Sequence, residues 1–167
     1  VMPNDGQPRA RGLQRPRDGT GRLVGVANDN CPGQVVITGD ETALAEAMSQ
    51  LAAAGARKVV RLPISIAAHS PLMAAVAGDF AAAVEATPLT TARVPVIANV
   101  TAAPITAPDA IRAELKAQLT APVQWTGSVR ALSAAGVAAY VEVGPGDVLL
   151  GLVKRIDRAA TRTKFEA

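Results

Sequence analysis

The sequence predicts an α/β fold, and three observations carry that prediction. Apolar runs of strand length alternate with longer stretches whose apolar residues recur at helical spacing. Glycine and proline fall between the runs, where turns are needed. Apolar residues make up 49% of the 167, enough for a core, yet aromatics are only 2%, so alanine and valine must fill it.

Taken in order, residues 1–22 are rich in Pro, Gly and Arg and hold little to bury. Such a segment cannot offset its ordering entropy and is expected to be disordered. Residues 23–27 and 34–38 read as strands joined by a polar turn containing Pro32-Gly33. Residues 41–54 read as a helix. Leu44, Ala47, Met48, Leu51 and Ala52 form one apolar stripe, and Gly55 stops it. Residues 58–64 predict another strand. After Ser70 and Pro71 a helix is expected to residue 86, with Met73, Val76, Phe80 and Val84 on one face. The continuous apolar run at 94–99 predicts a strand buried on both faces. Helices follow at 109–119 and 126–135, separated by Pro122. A second buried strand is expected at 139–143, then a tight Gly144-Pro145-Gly146 turn, then a helix at 148–156. Residues 157–167 read as a basic C-terminal tail.

Charge narrows the function. The net charge is +3, and residues 1–22 account for it with five arginines against two aspartates. The remainder holds twelve basic and twelve acidic residues, so nucleic-acid binding through a charged face is disfavoured. One cysteine and one histidine exclude an internal disulfide and a Cys/His zinc site. No apolar run approaches the ~20 residues of a membrane span, and a cytoplasmic setting is expected.

His69 is the candidate for chemistry. It sits between an extended apolar run and a helix opened by Ser70 as N-cap and Pro71 at the first position. There a histidine is held by backbone but open to one side, as a proton shuttle requires. A capping-region histidine without chemistry has the same local pattern.

Four stretches bear on that choice. They are 28–39 (NDNCPGQVVITG), 68–73 (AHSPLM), 118–125 (QLTAPVQW) and 141–152 (VEVGPGDVLLGL). In this order and spacing they resemble the C-terminal half of malonyl-CoA:acyl carrier protein transacylases, over residues 23–156. The resemblance implies part of a hydrolase-like parallel-sheet domain plus most of a ferredoxin-like small subdomain. The small subdomain would take 23–66 and the large one 67–156. It implies ping-pong malonyl transfer from coenzyme A to acyl carrier protein in fatty acid biosynthesis, with no cofactor and no metal. His69 would be the base and the backbone carbonyl of Gln118 would orient it. Ala68, Asn28, Asn30, Gly144 and Gly146 would lie on the substrate side. Lys154, Arg155 and Arg158, continued by Arg162 and Lys164, would dock the acidic carrier protein. For each of these a plain structural reading stands beside the functional one: turn formers at Asn28 and Asn30, a turn at Gly144–Gly146, a solvated helix end for the cations.

The chain departs from the family in what it lacks. The family's nucleophile is a serine in a Gly-His-Ser-x-Gly elbow, and none of Ser49, Ser65, Ser70, Ser128 or Ser133 has that setting. The family's carboxylate-binding arginine also precedes the matching region. Two readings follow. The chain is half of an enzyme completed by a separate N-terminal half, or it is a non-catalytic remnant or carrier-protein-binding module. Cys31 as a substitute nucleophile is disfavoured, because its sequence neighbours supply no base.

Overall fold

Two strand-length runs flank Pro32-Gly33, and they pair across it. In the computed structural model, which describes residues 23–166, β1 (Val24–Cys31) and β2 (Gln34–Gly39) form an antiparallel ladder with Val26 opposite Ile37. The predicted disorder of 1–22 lies outside the described residues. The turn is shorter than predicted, since Asn28, Asp29 and Asn30 belong to β1. Register irregularities between Val26 and Asn28 and between Asp29 and Cys31 absorb them, as a bulged strand can.

Helix α1 (Glu41–Ala53) follows and buries Ala43 and Ala47. Its end is a Schellman motif: Ala56 N–H reaches Leu51 O and Gly55 N–H reaches Ala52 O, with Gly55 at φ +88°. The strand predicted at 58–64 does not form. The segment makes no ladder among the described residues, and Val60, Leu62 and Ile64 are exposed. Apolar, extended sequence becomes a strand only where a neighbour accepts its hydrogen bonds.

The predicted helix after Ser70 is a 3₁₀ turn (Pro71–Met73) running into α2 (Ala74–Ala86). Of its apolar stripe only Val84 is buried. α2 packs on α3 (Pro108–Gln118), where Arg112 donates to Val84 O and Lys116 pairs with Glu85. The buried strand predicted at 94–99 shrinks to a two-residue arm. β3 (Val96–Ile97) pairs with β4 (Pro104–Ile105) in a short hairpin, and Val94 and Val96 are exposed.

The C-terminal third is a β–α–β unit. α4 (Trp125–Ala134) leads to β5 (Ala139–Val143), α5 (Val148–Ile156) and β6 (Thr161–Phe165), with β5 and β6 parallel from Ala139–Thr161 to Val143–Phe165. The tail predicted at 157–167 is therefore a strand over five of its residues. The predicted burial of β5 also fails, since Val141 is 60% and Val143 73% exposed. β5 has one strand neighbour among the described residues, so its other edge stays unpaired there.

The core lies where β1 meets α4 and α5, built from Ala27, Cys31, Val129, Leu152, Val153 and Ala160. Backbone ties anchor β1 there: Asp29 N–H to Val123 O at 2.9 Å and Val123 N–H to Ala27 O at 2.8 Å. Thr126 Oγ1 donates to Asp29 Oδ1 at 2.7 Å. Helices and strands are interspersed along the chain, in keeping with the α/β class. No described helix is long and apolar enough to cross a membrane.

Candidate active site

His69 is held in a conformation that L-residues avoid. Its φ is +59°, in the left-handed region, which costs about 1–2 kcal/mol for a side chain bearing Cβ. Bonds on both sides over-determine it. Ser70 Oγ donates to Ala67 O at 2.9 Å and accepts from Leu72 N–H at 3.2 Å, so the predicted N-cap is in place. Met73 N–H closes on Ser70 O at 3.0 Å. Ser70 is buried and half-buried His69 is not, so the imidazole keeps a side open to solvent.

The ring itself is anchored. His69 Nδ1 lies 2.7 Å from Gln118 O. A carbonyl oxygen can only accept, so Nδ1 carries the hydrogen and Nε2 of the neutral ring is the free acceptor. The carbonyl is available because α3 ends there. The N–H groups of Thr120 and Ala121 both turn back to Ala117 O, at 3.1 and 3.0 Å, which leaves Gln118 O to the imidazole. The predicted pairing of His69 with the Gln118 backbone is thus present as geometry.

The other predicted residues fall in four places. Ala68 is half-buried next to His69. Asn28 and Asn30 are half-buried along β1, and Asn28 bridges to Val123. Gly144 and Gly146 form the bend after β5 at φ +123° and +86°, where Gly144 N–H binds Phe165 O. Lys154, Arg155 and Arg158 line one cleft of ≈ 530 Å³ with Pro32 and Arg162; neither His69 nor Gln118 lines it. Arg155 donates to Pro32 O at 3.3 Å.

Cys31 is poorly placed to act as a substitute nucleophile. It is 1% exposed, and burial pushes its thiol up, against a smaller downward pull from Arg155 and a further push from Asp29. A thiol in that state carries little thiolate.

Three residues escaped the sequence reading. Asn99 Nδ2 donates to the Gln118 side chain (Oε1) at 3.2 Å. Glu114, buried on α3, accepts Val100 N–H at 3.0 Å. Glu142 of β5 reaches across the glycine bend to accept the N–H groups of Leu149 and Leu150, at 3.1 and 2.9 Å. It caps α5, a task its neighbour Asp147 leaves undone. The signal for Glu114 was its place four residues before Gln118, hence on the same helix face.

This is an α/β chain whose single imidazole is fixed by a helix-end carbonyl and open on its other nitrogen. Residues 4–164 match the model of the acyl transferase domain, and the chain belongs to that family. It is 44% identical over 136 residues to a malonyl CoA-acyl carrier protein transacylase of Escherichia coli K12, covering 81% of this chain and 44% of that protein. Among solved structures, a malonyl-CoA:acyl carrier protein transacylase of Xanthomonas oryzae superposes with a TM-score of 0.87 at 40% identity, covering 95% of this chain and 51% of that one. A malonyl-transacylase in complex with a type II polyketide synthase acyl-carrier protein superposes at 0.83 with 34% identity, over 95% and 49%. The chain thus spans about half the length of the relatives it matches.

Proposed function

We propose that this chain supplies the base-bearing half of a malonyl-CoA:acyl carrier protein transacylase. His69 would serve as general base and Gln118 O as its anchor. The observation that carries the proposal is the 2.7 Å contact between Nδ1 and that carbonyl. It fixes the tautomer that leaves Nε2 ready to take a proton.

The scheme needs a serine hydroxyl from a complementary N-terminal half. Nε2 accepts the serine proton as Oγ attacks the malonyl thioester carbon. The C–S bond then breaks, and the coenzyme A thiol leaves with the proton from Nε2. In the return half, the phosphopantetheine thiol gives its proton to Nε2 and attacks the ester, and serine leaves with that proton. One thioester is a substrate and the other the product, so the scheme calls for no resident cofactor or metal. Residues 23–66 would act as the small subdomain and 67–156 as the large one. Ala68, Asn28, Asn30, Gly144 and Gly146 would border the substrate.

The carrier protein is the proposed partner. The similar transacylase solved with a carrier protein supports this. So does the basic cleft of Lys154, Arg155, Arg158 and Arg162, which suits an acidic surface and would steer encounter.

The test combines this chain with the N-terminal half of a close relative. The pair is expected to transfer malonyl, and the chain alone to remain unlabelled by radioactive malonyl-CoA. In the pair, His69→Ala should lower acylation by ~10²–10⁴-fold, the range for losing a positioned base. A loss under about tenfold would assign the base elsewhere.

A further inference from the structure

The anchor of His69 is itself tethered from a third element. Gln118 O belongs to the last residue of α3, past the point where helix bonds fix a carbonyl's direction. Its own side chain leads away to the hairpin tip between β3 and β4, where Asn99 Nδ2 donates to Gln118 Oε1 at 3.2 Å.

That tip is built to be rigid. Ala98 is buried; its N–H binds Ala103 O and its carbonyl takes Ala102 N–H, both at 2.9 Å. Ala102 is held at φ +55°. Glu114, one turn before Gln118, takes Val100 N–H at 3.0 Å. From the other side, the start of α4 grips the same two residues: Gln124 N–H binds Asn99 O at 2.7 Å, and its side-chain amide binds Val100 O. Asn99 and Val100 are therefore clamped between two helices by four bonds, and only the Asn99 amide passes that rigidity on to Gln118.

We propose that Asn99 is a positioning residue for His69, acting through the Gln118 side chain to aim the carbonyl that sets the imidazole tautomer. The inference rests on the reading of His69 as base, but its test needs no catalysis.

His69 is the only histidine in the sequence, so a uniformly ¹⁵N-labelled chain gives one imidazole spectrum without assignment. At mildly alkaline pH the two ring nitrogens should resonate far apart, as one protonated and one bare nitrogen. Asn99→Leu should draw the two signals toward each other, because the tautomers then interconvert. Gln118→Glu keeps an acceptor for the Asn99 amide and should preserve the separation. Val153→Ala, distant in the core, serves as control for general loosening and should also preserve it. If Asn99→Leu does not fold, Gln118→Met removes the same acceptor, keeps the main-chain carbonyl and should collapse the separation. Wild-type separation in Asn99→Leu, or in Gln118→Met where that replaces it, would overturn the proposal. So would an equal collapse in Val153→Ala. Failure here leaves the base assignment to the reconstituted His69→Ala enzyme, which reads it independently.

Discussion

β1 and β5 both carry apolar residues, and those residues end in opposite surroundings. Among the described residues each has one strand partner, β2 for one and β6 for the other, and β1 adds a backbone bridge to Val123. β1 is also covered by α4 and α5, so Ala27 and Cys31 are buried. β5 keeps α5 on one side and leaves Val141 and Val143 bare on the other. Burial is thus a property of what packs on a strand. Periodicity alone cannot report it.

The sharpest way to break the comparison is to place the same charge in both regions. Val129→Asp, on α4 beneath β1, puts an unpaired carboxylate at a site 1% exposed and should cost about 4 kcal/mol or more, enough to unfold a domain of this size. Val143→Asp should change stability by less than about 0.5 kcal/mol. Urea midpoints of the two variants decide it; equal losses would mean that β5 is covered in solution. Repeating Val143→Asp with the N-terminal half of a close relative added sharpens the point, since a cost that appears only then locates that half on β5.

A smaller effect is expected at Gly39, where β2 ends against the start of β1. A Cβ there would lie 2.3 Å from Leu23 O and 2.7 Å from Val24 Cα, which are backbone atoms that cannot rotate away. Gly39→Ala should cost about 1–3 kcal/mol. Gly144→Ala would meet nothing within 4 Å, so its cost should come only from its φ of +123°. Thermal unfolding of both variants separates crowding from conformational strain; a neutral Gly39→Ala would show that the strand ends can part freely.

The smallest effect is the pH response of the covered strand. The folded state holds the Cys31 proton more tightly than the unfolded chain, chiefly through burial. Stability from this group is therefore unchanged below the ordinary thiol range. It falls as pH rises through the unfolded thiol's titration toward the folded one, because the unfolded state loses its proton first. Cys31→Ser, compared at neutral and alkaline pH, should lose this slope. An unchanged slope would place the alkaline titration on Tyr140, whose phenol is also raised by burial, with Asp157 adding to the shift.

Sequence read the local elements well and the tertiary ones poorly. Helices α1, α3, α4 and α5 were legible because Gly55, Pro122 and the Gly144-Pro145-Gly146 turn punctuate the helical runs. The run at 58–64 was misread because its composition is that of a strand while its ladder must come from elsewhere. β6 was missed for the converse reason: Thr161-Arg162-Thr163-Lys164-Phe165 has strand periodicity, but its charges read as a tail. At the site, the His69–Gln118 pairing came from family resemblance. Asn99 did not, because a tether between a hairpin tip and a helix end leaves no mark in either segment alone, and Glu114 left only its place one turn before Gln118.

The tie between Asp29 and Thr126 also sets a clock. The two residues lie 97 positions apart, while β5 finds β6 within about twenty. A ribosome adding ~5–20 residues per second delivers α4 roughly 5–20 s after β1 emerges. Through that interval the β1–β2 hairpin has α1 for company, and the strip carrying Ala27 and Cys31 faces water or a chaperone. Contacts of such long range also slow folding of the finished chain. The best-covered strand of the mature molecule is therefore the one left bare longest during synthesis.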